Sequence, residues 1–568
     1  MSRPRNRTIA IVLVLELLAG AWFWFSHSPA AAEPAPAAAA ESTAAAGAAD
    51  APKAVHEAAK PAPNPLDTGK KPDCPKPPKK ASAKRSFGDV AKQDLLPIGI
   101  LILVIVIVIM RLPRVELGHT KVFRHRRLLN WLPLGLTYSF LYFARYNIKS
   151  FQGVGLTEAE YGTVFGIGSA VYGLAFLLNG PLTDRWGGRA TILIAAAGAG
   201  VANLWMGYMA ATGNTFGMSV PTAFTTAFAM NMYFQSFGAV SIVKVNAAWF
   251  HTRERGTFGG IFGILISLGL YFAFDIIPRI KDAFSVQWIF LVPAMILFVF
   301  FVLCWLFVRN EPSDTGHENF DLGDATSMDD RARATTFVQW LRDIGAVLKK
   351  MLSHPVILTI ALIELCSGFL RQAILQWGTD FGRGIGLGNT FVFQNWGMVS
   401  CIAGITGGMF AGAISDHLFQ SRRSPVSGVL YGIMVVGSIL IVLLFGAPYL
   451  IGWVVAFMSM AIIGVHGMLT ATASADFAGK KNTGVAVGLI DGFVYLGSTV
   501  QSFVYGATLP ASKMRDEATG CLVPNPEAAK IDNWTVWPYA MMPIALVGFL
   551  LTLRIWNAKP RKDAPSGH

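Results

Sequence analysis

Apolar stretches of helical length, separated by short polar connectors, fill the chain from residue 129 onwards. A membrane-spanning helix needs roughly 20 mostly apolar residues, and about fourteen stretches of this chain reach that length. A regular series places spans at 129–151, 160–182, 190–211, 222–248, 257–278 and 286–308. It resumes at 355–380, 390–415, 424–446, 449–473, 483–507 and 536–557. Two earlier apolar runs, Ile9 to Phe25 and Leu95 to Met110, precede the series. The pattern predicts an all-α membrane protein of six plus six transmembrane helices with two additional N-terminal hydrophobic helices.

The polar stretches set the domain organisation. Residues 1–26, with Arg3, Arg5 and Arg7 before the apolar run and Ala30-Ala31-Ala32 after it, read equally as a signal peptide or as an uncleaved signal anchor. Residues 27–93 are rich in Ala, Pro and Lys and hold too few large apolar side chains to build a core, so they read as a disordered periplasmic linker. Residues 94–127 combine a further membrane helix with a basic segment containing Arg111, Arg114, Lys121, Arg124, Arg126 and Arg127. Two six-helix bundles are expected at 128–308 and 355–557, joined by a polar connector, 309–354, that ends in an amphipathic stretch. A basic tail, 558–568, follows.

Composition supports a membrane class: 53% of residues are hydrophobic and 14% charged. The net charge of +13 does not gather on a polar domain, so no nucleic-acid partner is implied. Basic residues instead occupy alternate connectors, as Arg185/Arg189, Arg253/Arg255, Arg422/Arg423 and Lys480/Lys481. By the positive-inside tendency these connectors and the C-terminus face the cytoplasm, which places the chain in a bacterial inner membrane. Of five cysteines, Cys74 and Cys521 fall on the oxidising side, where a bond between them is allowed.

Candidate chemistry lies inside the spans. Tyr138, Tyr142 and Arg145 fall at i, i+4 and i+7 and share a helical face in the first span. Arg371 occupies the matching place in the seventh. An arginine at the centre of a membrane helix costs about 2.5–3.5 kcal/mol on insertion scales, so it requires a polar cavity or a partner. The connector Gly180-Pro-Leu-Thr-Asp-Arg-Trp-Gly-Gly-Arg189 is echoed at Gly412–Arg423, and Asp184 and Asp416 repeat at nearly the separation of the two arginines. That is an internal repeat, a common construction of secondary transporters.

Gly180, Asp184, Arg185, Gly187 and Arg189 resemble the signature loop of the major facilitator superfamily. Tyr142-Phe-Ala-Arg145, Trp249–Gly256, Arg309-Asn-Glu-Pro312, Arg371–Trp377, Lys480–Gly484 and Tyr495-Leu-Gly497 are similar to stretches of its organophosphate:phosphate antiporters. The resemblance covers about 128–557 and implies the major facilitator fold, a monomer, and no cofactor or metal. It implies that Arg145 and Arg371 grip a substrate phosphate while Tyr138 and Tyr142 line the cavity. A guanidinium suits that task, because it stays charged and offers a fork of donors. It further implies exchange of a phosphorylated organic anion for phosphate. The rivals are a proton-coupled carboxylate symporter and a non-transporting sugar-phosphate sensor. An enzyme is not expected.

The sequence also departs from that family. Ile266 and Phe176 stand where glycerol-phosphate carriers have a histidine and a lysine, and Gly479 replaces a proline. Glu364, Asp275, Asp380 and Asp491 add carboxylates within spans. Glu364 shares a face with Arg371 and is expected to neutralise it, to take up a coupling proton, or to lie too near the membrane edge to matter. Lys149 either adds to the anion field or lies at the headgroups. Asp184, Arg185, Arg189 and Asp416 are expected to form a gating or structural network, and His466 has no partner in the sequence that suggests metal binding or catalysis.

Overall fold

The computed structural model describes residues 96–111, 118–251, 254–320, 337–419, 423–469, 483–516 and 521–557. The expected leader, linker and C-terminal tail lie outside the described residues, as do Cys74 and Gly479.

Helix α1 (Leu96–Arg111) precedes the first bundle. That bundle contains α2 (Lys121–Tyr146), α3 (Glu158–Trp186), α4 (Gly188–Thr212), α5 (Val220–Trp249), α6 (Arg255–Tyr271) with its continuation α7 (Ile277–Ala283), and α8 (Trp288–Phe307). A connecting helix α9 (Phe337–Leu352) leads to α10 (Pro355–Gly384), α11 (Trp396–Leu418), α12 (Arg423–Leu443), α13 (Ile451–Met468), α14 (Thr483–Thr508) and α15 (Val536–Arg554). Helix α2 runs straight through the boundary expected at 127/128. The basic residues Lys121 to Arg127 form its first turns, because Thr120 caps the helix by accepting from the Phe123 amide at 3.2 Å.

Eight helices or helical stretches among the described residues are long and apolar enough to cross a membrane. Helices α2, α5 and α14 are not among these, and α11 contributes a shorter apolar stretch. Three of these four carry polar side chains that matter below.

Local sequence accounts for the helix ends. Thr157 and Glu160 form a capping box at the start of α3. Gly187 joins α3 to α4 at φ 84°, and a Cβ there would meet the Asn310 side chain at 2.8 Å, so glycine is required on both counts.

Within the first bundle α4 packs on α5 and α8, and α2 on α6 and α8. Within the second, α11 packs on α13, α12 on α15, and α10 on α14. Two seams join the bundles, α3 against α14 and α6 against α11. The first is close because Gly162 faces Gly506, where a Cβ on Gly162 would stand 2.8 Å from the partner Cα. A two-stranded hairpin, β1 (Lys513–Arg515) with β2 (Leu522–Pro524), pairs Met514 with Val523. It reaches from the second bundle to the first, where Arg515 bonds Glu160 at 3.0 Å and Lys513 donates to the Gly153 carbonyl at 2.7 Å. Cys521, beside the hairpin, is disulfide-bonded, while Cys304, Cys366 and Cys401 are free.

Candidate functional site

Arg145 sits in the last turn of α2 and is 1% exposed. Its Nε donates to Gln235 Oε1 on α5 at 2.9 Å, and Nη1 donates to the Tyr495 hydroxyl on α14 at 2.8 Å. The guanidinium carbon lies 4.5 Å from the ring centre of Tyr172 and 4.7 Å from that of Tyr142, a cation–π cage on two sides. Nη2 is buried and has no hydrogen-bond partner.

Arg371, on α10 of the second bundle, lies within electrostatic reach of Tyr142, Tyr146 and Tyr495. Its Nε is buried without a partner. Buried Arg145 and half-buried Arg371 therefore lie within electrostatic reach of the same tyrosines, and each keeps a guanidinium nitrogen without a hydrogen bond. A buried unpaired cation is expensive, and an anion with several oxygens supplies both the charge and the acceptors.

A polar ladder continues from this cage along α10 at a spacing of four residues. Gln372 Nε2 donates to the Tyr146 hydroxyl at 3.0 Å and Gln376 Nε2 to Gln372 Oε1 at 2.7 Å. The Tyr161 hydroxyl from α3 closes on Gln376 Oε1 at 2.7 Å. One turn further, Asp380 accepts from Lys149 and Gln152 of the first bundle, with Arg383 bonding its other oxygen at 3.0 Å. Lys149 also lies over the rings of Tyr161 and Trp377. At the α6–α11 seam, a single π-helical turn, Phe272–Ile276, holds Asp275. Its two oxygens accept from the Gly397 and Met398 amides at the start of α11, each at 2.8 Å.

These contacts revise several expectations. Lys149 neither lines the anion cage nor reaches outward; it pairs with Asp380 across the bundles. Glu364 does not form an ion pair with Arg371, because its Oε2 lies 3.2 Å from Nδ1 of His466 on α13. His466 thus has the partner that its sequence context failed to suggest. Asp275 is a helix cap. Tyr138 stands one turn below Tyr142, edge-on to it at 5.4 Å. Asp491 is half-buried on α14 with Oδ1 lacking a hydrogen bond. Phe176 packs against Tyr172, and Ile266 is half-buried, so both positions are apolar.

The signature loop lies apart from the cage. Lys244 of α5 bonds Asp184 Oδ1 at 3.1 Å, and Arg189 donates to the Trp305 carbonyl at 2.8 Å. Arg185 is exposed, Gly180 has open space around it, and the Asp416 side chain lies outside the described residues.

Tyr146, Tyr172, Gln372 and Gln376 join the candidate site beyond the residues that the sequence singled out. The four-residue spacing of Gln372, Gln376 and Asp380 was a usable signal; their partners on other helices were not.

Residues 134–502 match the family model described as Major Facilitator Superfamily. The chain belongs to this superfamily. Its curated relatives include the "Membrane sensor protein UhpC" of Salmonella typhimurium, 26% identical over 401 residues, covering 67% of this chain and 84% of the relative. They also include the "Glycerol-3-phosphate transporter" of Bacillus subtilis, 26% identical over 412 residues, covering 66% and 84%. The structure resembles that of nucleoside transporter NupG, with a TM-score of 0.54 at 14% identity over 76% of this chain and all (100%) of that one. It also resembles a bacterial homolog to human lysosomal transporter Spinster, with a TM-score of 0.56 at 13% identity over 79% and 100% of the two chains. This superfamily member is accordingly a multi-pass membrane protein related to glycerol- and hexose-phosphate transporters.

Proposed function

We propose that the protein exchanges a small phosphorylated organic anion for inorganic phosphate by alternating access. The observation that carries this reading is the pair of arginines, one from each bundle, that lie within reach of the same tyrosines with guanidinium donors to spare. An anion held by Arg145 and Arg371 draws the bundles together, and its release on the far side lets them part. Two cations without an anion disfavour the return step, and an incoming anion relieves that cost. The connectors rich in Lys and Arg then face the cytoplasm of a bacterial cell, with the C-terminus inside.

The matching experiment is counterflow in phosphate-loaded proteoliposomes, following labelled phosphate with sugar phosphates and carboxylates as competitors. Exchange inhibited by sugar phosphates supports the reading; absence of phosphate exchange sinks it. A second reading, a sensor that binds a sugar phosphate without moving it, draws on the likeness to the membrane sensor UhpC. It predicts saturable binding with no flux.

A further inference from the structure

Beside the arginine cage, the second bundle buries an acid–base pair that gripping a phosphate does not require. Glu364 is 0% exposed. Its Oε2 meets His466 Nδ1, whereas its Oε1 is buried and has no hydrogen-bond partner. A carboxyl and an imidazole at this distance are placed to hold a proton between them, and the vacant Oε1 is a further position where the carboxyl can hold one. The His466 side chain keeps 26% of its surface exposed.

The other ionisable groups around Glu364 come from its own helix and from the helices packed about it. Arg371 and Cys366 lie on α10, and Tyr431 reaches in from α12. The Tyr431 hydroxyl is committed to the Ile363 carbonyl at 2.6 Å. Helix α14, packed against α10, carries Asp491 and Tyr495. Of these groups Arg371 connects the pair to the anion: it sits seven residues on, two turns along the same face, within electrostatic reach of Glu364.

We infer that Glu364 and His466 form a proton-binding site whose occupancy is linked to the anion at Arg371. The inference rests on the phosphate reading above. When Glu364 is ionised it offsets part of the Arg371 charge; when it carries a proton, that charge is left to the anion. Binding the anion therefore draws a proton from solvent onto the pair, and a proton on the pair strengthens anion binding by the same factor. When the anion leaves, the proton returns to solvent, and no bond within the anion changes.

The test is proton uptake by the purified full-length protein in weakly buffered detergent solution when inorganic phosphate is added. Wild type is compared with Glu364→Gln, His466→Gln and Asp491→Asn at one pH. Phosphate's own titration contributes equally to all four, so differences report the protein. Wild type and Asp491→Asn should take up more protons per bound phosphate than Glu364→Gln, with His466→Gln reduced. The phosphate affinity of Glu364→Gln should also lose the pH dependence that wild type shows beyond that of phosphate itself. Equal uptake by wild type and Glu364→Gln overturns the inference, as does loss of uptake in Asp491→Asn but not in Glu364→Gln. Infrared difference spectra of the anion-free protein give an independent readout. A protonated-carboxyl band should grow as pH falls and be missing from Glu364→Gln; no such difference also overturns the inference. If that band is present while phosphate fails to bind, the phosphate reading fails and the proton site stands.

Discussion

Nη1 of Arg145 donates to the Tyr495 hydroxyl at 2.8 Å, and this bond joins the first helix bundle to the second at the point where substrate is expected to sit. A hydrogen bond to a charged group contributes roughly 1.5–3 kcal/mol. Tyr495→Phe should therefore raise the half-saturating phosphate concentration in counterflow by roughly tenfold or more. An unchanged value would show that Tyr495 does not position Arg145 for the anion.

Arg371 offers the anion a planar fork that an ammonium group lacks. Losing a bidentate contact is worth roughly 2 kcal/mol, so Arg371→Lys should cut phosphate exchange about thirtyfold. The protein should stay monodisperse, because no protein acceptor among the described residues depends on this guanidinium. The check is initial exchange rate against size-exclusion profile, and full activity in the Lys variant would remove Arg371 from the site.

Lys149 and Asp380 pair across the bundles with side chains only 7% and 10% exposed. Removing one partner of a buried pair costs about 3–5 kcal/mol, whereas replacing both by apolar residues is often close to neutral. Asp380→Asn should lower the thermal midpoint in detergent, and Lys149→Met combined with Asp380→Leu should recover most of the loss. Because the pair closes one end of the bundle interface, the single variant should also make cysteines placed near Gln376 react faster from that side. No change in either measurement would reduce the pair to a passive contact.

Asp275 reaches over the α6–α11 seam to cap the other bundle. Asp275→Ala leaves the Gly397 and Met398 amides without an acceptor, and loss of a helix cap costs about 1–2 kcal/mol. The expected result is a modest fall in thermal stability with phosphate binding retained. Loss of binding at unchanged stability would instead put Asp275 in the substrate path.

Much of this protein was readable from one-dimensional pattern. Apolar runs near the length of a bilayer crossing are dictated by the cost of burying unpaired backbone, and eight helices or helical stretches among the described residues are long and apolar enough to cross a membrane. The exposed signature loop and the arginine in α2 were equally visible, because an arginine inside an apolar run breaks the rule that the rest of the run obeys. The pairings were not visible. Glu364 and Arg371 share a helical face, yet the carboxylate turns to His466, which lies on a different helix about a hundred residues away in the chain. Lys149 found Asp380 and Asp275 found the α11 amides for the same reason: periodicity says which face of a helix a residue occupies, never which helix stands opposite. Only close packing of the two bundles, set by small residues such as Gly162 and Gly506, decides which charges meet. In a medium of low dielectric those meetings determine which groups remain free for an anion or a proton.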